Sequence, residues 1–115
     1  MRKGAKSMNF ITYLWLDDMR PINNVHDYDC ITAHSVNEAK WLIIQAEQNG
    51  QTRFLFDLDH DLGDYASDGG DGYKLVEWLI ETGRNTSNYI IQCHSMNPVG
   101  KEHILGLYKR YWKGV

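Results

Sequence analysis

The sequence predicts an α/β fold: a three-layer, mostly parallel sheet of about four strands with helical crossovers. Three observations lead there. Short β-branched and aromatic runs alternate with segments whose apolar residues recur at helical spacing. Each helical segment carries its own start or stop signal. The chain has 115 residues, one domain's worth, and can bury roughly two-thirds of the surface its unfolded form exposes.

Phe10 to Leu16 reads as a buried strand ended by Asp17-Asp18. Asp29 to Ala33 is a weaker strand, ended by His34-Ser35. Only Ile22 to Tyr28 are counted as linker between them, too short for a full crossover helix. The second strand is therefore expected to be poorly formed or antiparallel to the first. Ser35-x-x-Glu38 is a capping box. The helix after it carries Val36, Ala39, Leu42, Ile43 and Ala46 on one face and stops at Gly50. Phe54 to Leu58 is the third strand, running into Asp59-His60-Asp61. Gly63 to Gly72 reads as a loop. The second helix buries Leu75, Val76, Leu79 and Ile80 before Gly83. Tyr89 to Cys93 is the fourth strand, ended by His94-Ser95. Asn97 is an N-cap with Pro98 at the first helical position. The last helix carries Ile104, Leu105, Tyr108, Tyr111 and Trp112. Residues 1–8 are expected to be a disordered or leader segment, and 9–115 a single domain.

Composition excludes several classes. With 43% hydrophobic and 23% charged residues the chain is not of disordered type. Cys30 and Cys93 are too few for a disulfide scaffold. No apolar run approaches a membrane span, and the basic start (Arg2, Lys3, Lys6) lacks the apolar stretch of a secretory signal. A cytoplasmic protein with no membrane partner is expected. The net charge of −3 does not call for double-stranded DNA.

Charge is instead concentrated at the strand ends. Asp17-Asp18, Asp59-His60-Asp61 and His94-Ser95 each follow the last apolar residue of a strand. In an open parallel sheet, ligands bind beyond the carboxyl ends. Converging carboxylates need a cation or protons. Hard oxygen ligands favour Mg²⁺ or Mn²⁺, and the free amides after Pro98 would suit an anion. Bland readings stand beside these. Asp17-Asp18 is also a turn signal. Asp57, Asp59 and Asp61 partly match a calcium loop, but Leu62 sits where that loop needs glycine, Asp68 replaces its closing glutamate and a strand precedes it. His26, His34 and His103 read as structural or surface residues, and the four tryptophans as core and helix-face residues.

Three motifs resemble one family. They are Leu16-Asp17-Asp18-Met19-Arg20-Pro21, Leu58-Asp59-His60-Asp61-Leu62-Gly63 and His94-Ser95-Met96-Asn97-Pro98-Val99-Gly100. Together they are similar to the cyclic-phosphate-processing receiver-like domains of bacteria and phages, from about Tyr13 to Leu107. The resemblance implies a truncated receiver, CheY/flavodoxin-like in fold, that processes a cyclic phosphate at an RNA end or in a nucleotide. By position, Asp17 and Asp18 match the receiver's metal-binding pair, Asp59 its phosphoryl-accepting aspartate (Asp57 being the alternative) and Ser95 its hydroxyl residue. His60, Asp61, His94 and Asn97 belong to the variant family's pattern. No fifth strand or phosphate-contacting lysine follows the helix ending near Trp112, and the first helix is missing or reduced. Both departures argue against a kinase-switched receiver.

The resulting expectation is a metal-dependent hydrolase. Asp17, Asp18 and Asp59 hold the ion. Asp61 completes its shell or orients a histidine. His60 and His94 act as base and acid, in either order. Ser95, Asn97 and Gly100 bind phosphate oxygens. Arg20 contacts phosphate or neutralises carboxylates. The alternatives are a non-enzymatic phosphate- or protein-binding module and a phosphoaccepting receiver. Phe54 to Asp59 is also similar to the nucleophile motif of haloacid-dehalogenase-type phosphatases, although the order of the remaining motifs is wrong.

Overall fold

A computed structural model describes residues 11–21 and 29–114. The expected N-terminal leader, the reduced first helix and His26 lie outside these residues. Four strands are present: β1 (Thr12–Leu16), β2 (Asp29–Ala33), β3 (Phe54–Leu58) and β4 (Tyr89–Cys93). Three helices are described: α1 (Val36–Gln48), α2 (Tyr73–Glu81) and α3 (Pro98–Tyr111). A short 3₁₀ turn, Gly63–Ser67, occupies half of the stretch expected to be loop.

The sheet order is β2-β1-β3-β4 and every pairing is parallel. β2 is thus well formed and parallel to β1, contrary to the expectation from linker length. Twelve residues separate Leu16 from Asp29, not the seven counted as linker. A chain spans up to about 3.3 Å per residue, so twelve residues can return along a five-residue strand without a complete helix. α1 and α2 connect strands that step the same way across the sheet. Right-handed crossovers therefore put them on one face.

That face is the core. Leu14, Leu16, Phe54, Phe56 and Leu58 are fully buried and alternate with less buried neighbours. Val36, Ala39 and Ile43 of α1, Leu75, Val76 and Leu79 of α2, and Ile104 of α3 close over them. Tyr13, Trp15, Leu55 and Asp57 face the other way by the two-residue period, with Trp15 beside Asp57 in register. Trp41 stands on the outer, helix-face side of α1 at 61% exposure, and one aromatic expectation needs correction: Tyr111 is exposed at the end of α3. Trp112, the residue after that helix, is the one that buries, donating its indole N–H to the Tyr89 carbonyl. Among the described residues no helix is long and apolar enough to cross a membrane.

The helix starts follow their capping residues. Ser35 Oγ accepts from the Glu38 amide, and Glu38 reaches back to the His34 amide, one residue earlier than a capping box requires. At the opposite, amino edge of the sheet, Glu47 binds the Arg84 guanidinium through both oxygens at 2.8 Å and accepts from the Tyr89 hydroxyl at 2.8 Å. Arg84 also lies over the Trp78 ring. The clamp ties α1 to the connection before β4. The Arg84 hydrogen bonds hold the Glu47 carboxyl below its usual value. Burial, then the Glu47 bond, pushes the Tyr89 phenol up to about 12.

Glu47→Gln should cost about 1–2 kcal/mol at neutral pH, the scale of a charge-assisted bond partly open to solvent. A depressed carboxyl contributes stability above its unfolded value and loses it as pH falls through the folded one. The gap between wild type and variant should therefore shrink in acid. Urea midpoints at neutral pH and well below the carboxylate range test this.

Candidate active site at the carboxyl edge of the sheet

The parallel pairing runs one residue past the strands. The Asp17 amide donates to the Ala33 carbonyl at 3.1 Å, Asp59 to Leu16 at 2.8 Å and His94 to Leu58 at 2.9 Å. Three polar residues from β1, β3 and β4 are thereby set side by side. Asp17, Asp59 and His94 each offer a ligand atom within 4.8 Å of the others.

Asp17 is 2% exposed. Its Oδ1 accepts the amides of Met19 and Arg20 at 2.9 and 2.7 Å. Its Oδ2 lies 2.8 Å from His94 Nε2 and 3.3 Å from Arg20 Nε. The other His94 nitrogen, Nδ1, lies 2.8 Å from Asp57 Oδ1. Asp57 in turn accepts from the Tyr13 hydroxyl. The Trp15 ring stacks on the His94 ring at 3.8 Å and 1°. Asp59 accepts the amide of its neighbour His60, and among the described residues it has no ion-pair partner.

The electrostatics follow. Burial opposes the His94 cation, but bonds to Asp57 and Asp17 outweigh it and raise the imidazole above its ordinary value. Burial also opposes the Asp17 carboxylate, and is outweighed by the Arg20 and Met19 amides and His94. Asp57 is likewise held low, since His94 and Tyr13 overcome its burial. Asp59 goes the other way: burial, then the negative charge of Asp17, pushes it up. Three carboxylates thus face Arg20 and His94, and Asp59 is the one that pairs with neither.

That imbalance, with two carboxylates and an imidazole as donors, fits a divalent cation. The nitrogen donor favours Mn²⁺ over Mg²⁺. Of the four residues expected to hold metal, Asp17 and Asp59 come together. Asp18 and Asp61 lie outside their group. Gly63 comes up against the Asp18 carboxylate.

A second group holds His60, Asp61 and Asp71. His60 Nδ1 lies 2.8 Å from Asp61 Oδ1, and Asp61 also accepts from Asn97 Nδ2 at 3.1 Å. Asp71 takes the Leu62 amide. Tyr73 stacks between His60 and the exposed His103. The two histidines expected to share acid–base chemistry thus stand in separate groups.

The expected phosphate residues are mostly engaged. Asn97 Oδ1 accepts the Val99 and Gly100 amides, both at 3.1 Å. Those amides are therefore not free for an anion, and an anion-binding role for Gly100 needs correction. A Cβ on Gly100 would collide with the His60 ring, so this glycine serves close approach. Ser95 Oγ accepts the Asn97 amide at 3.1 Å, which leaves its hydroxyl proton to give. Arg20 neutralises Asp17 with a half-exposed guanidinium. Asp57, Trp15 and Tyr13 are the residues sequence reasoning missed. The sequence offers Asp57 as an alternative phosphoryl acceptor and as part of the calcium-loop match, and its two occupied oxygens suit neither role. The calcium loop also fails: Asp68 instead accepts from Ser35 Oγ and Asn37 Nδ2. His34 is an exposed residue paired with Glu38.

Two glycine substitutions should separate site packing from helix propensity. A Cβ on Gly72 would run into the Asp59 carbonyl, so Gly72→Ala should lower the melting temperature sharply. Gly106 faces open space inside α3, so Gly106→Ala should stabilise by about 0.5–1 kcal/mol. Thermal unfolding of both variants reads the contrast.

The comparisons agree with this arrangement. No curated protein and no solved structure matches the chain. One family model does, described as the cyclic-phosphate processing receiver domain and covering residues 12–110. That span takes in all four strands, the polar edge they build and nearly all of α3, and on this ground the chain belongs to the cyclic-phosphate processing receiver domain family.

Proposed function

We propose that the protein is a metal-dependent phosphoesterase that opens a cyclic phosphate, at an RNA end or in a cyclic nucleotide. The observation that carries this reading is the convergence of Asp17, Asp59 and His94 at the carboxyl edge, with one carboxylate charge left over. These residues would hold Mn²⁺ or Mg²⁺. A bound ion supplies Lewis-acid polarisation of the phosphoryl group and neutralises its charge.

The chain's own groups do the rest. His94 has a single Nε2, which cannot hold a cation and carry a proton together. Proton transfer then falls to His60, whose ring Asp61 orients through Nδ1. The Ser95 hydroxyl and the outer face of the Arg20 guanidinium are the donors for phosphate oxygens. In the net reaction one water adds, one phosphorus–oxygen ester bond breaks, and the ribose oxygen gains a proton. Met19, Met96 and Val99, on the loops after β1 and β4 and at the start of α3, are 84%, 84% and 76% exposed. They offer an apolar rim to the organic part of such a substrate.

A second reading is a binding module without turnover. It is favoured by His94 being engaged at both nitrogens, with Asp57 and with Asp17, rather than standing open for proton transfer.

The test is turnover of an RNA oligonucleotide ending in a 2′,3′-cyclic phosphate, with Mn²⁺, with Mg²⁺ and with EDTA. Metal-dependent opening that Asp59→Asn abolishes is the expected result. His60→Ala should slow it about 10²–10⁴-fold. Binding of ion and oligonucleotide with no opening would shift the assignment to the module.

A further inference from the structure

We infer that Asp57 is a positioning residue for His94: it fixes which ring nitrogen faces the Asp17–Asp59 pair, and Tyr13 holds Asp57 in turn. The consequence for ion affinity rests on the metal-centred reading above. The positioning itself stands on geometry alone.

Two different constraints act on the His94 ring. The parallel Trp15 ring fixes its plane. Stacking cannot tell one ring edge from the other, because a half-turn about the Cβ–Cγ bond keeps the plane and exchanges Nδ1 with Cδ2. The Asp57 carboxylate breaks that degeneracy. It accepts from Nδ1 at 2.8 Å, which leaves Nε2 as the nitrogen 2.8 Å from Asp17 Oδ2. The Tyr13 hydroxyl holds the other Asp57 oxygen.

Packing alone does not explain an aspartate there. Position 57 lies inside β3 and is 8% exposed, with Leu55 on the same face and Trp15 beside it in register. An apolar side chain would fill that site without desolvating a carboxylate. Asp57 is not among the residues offering an atom to the candidate ion group. It stands behind His94. A carboxylate behind a ligating imidazole fixes its tautomer and raises its basicity.

The experiment has two arms on the full chain. In metal-free protein, proton–nitrogen NMR should show a slowly exchanging, downfield His94 Nδ1–H resonance, assigned by its loss in His94→Ala. Asp57→Asn should move it upfield or erase it. An unmoved resonance overturns the inference. In the second arm, Mn²⁺ affinity is measured for wild type, Asp57→Asn, His94→Ala and the double variant. Asp57→Asn should weaken binding about 10–100-fold. In the His94→Ala background the same change should matter less than about twofold, because Asp57 acts through His94. An equal loss in both backgrounds overturns the inference. Tyr13→Phe should give a smaller loss of the same sign, and it decides the matter if Asp57→Asn fails to fold. A wild type that shows the resonance and its response but binds no Mn²⁺ would sink the metal reading and uphold the positioning role.

Discussion

The carboxyl edge of the sheet depends on one additional step of parallel pairing. The amides of Asp17, Asp59 and His94 each bond to a neighbouring strand after the last strand residue. Backbone bonds, not side-chain attractions, thus bring two acids and a histidine into one group. That matters because the acids repel one another. Burial, and then the charge of Asp17, pushes Asp59 up. Left to side chains alone the group would spread apart. With its backbone fixed, His94 and Arg20 offset Asp17, and Asp59 keeps no ion-pair partner among the described residues.

In the metal-centred reading, ion binding and His94 protonation would be alternatives. As a cation, His94 would donate to Asp17 and Asp57 from its two nitrogens. An ion shared by Asp17, Asp59 and Nε2 would take the Nε2 lone pair, so a protonated ring would have to release its proton. The Nδ1 bond to Asp57 survives the exchange. The ring therefore need not turn over between the two states. This economy of motion is what the Trp15 stack and the Asp57 bond jointly provide.

Much of the fold was legible in the sequence, for a physical reason. β2, β3 and β4 match the apolar runs residue for residue, because each run is cut by charged or polar residues that cannot stay in the core. The parallel placement of β2 was missed because turn residues after Leu16 were not counted as connection. Two features of the site were harder. Asn97 was read as an N-cap while the amides it caps were read as an anion site, and one set of amides cannot serve both. Asp57 was seen as a nucleophile because sequence alone cannot show that Tyr13 and His94 occupy it. Its signal was faint: an aspartate inside a strand, at a position where the pattern would accept an apolar residue.

The Glu47 clamp and the candidate site sit at opposite ends of the sheet. The Glu47–Arg84–Tyr89 clamp closes at Tyr89, where β4 begins, and His94 follows Cys93, where it ends. Five strand residues put these ends about 13 Å apart, beyond the range at which substitutions usually couple. The two regions also answer charge differently. At the clamp one carboxylate meets a guanidinium and a phenol, so no charge is left over. At the carboxyl edge three carboxylates meet Arg20 and His94, and Asp59 is left without an ion-pair partner among the described residues. The backbone bonds after β1, β3 and β4 hold that grouping in place at the carboxyl edge, where an open parallel sheet receives its ligand.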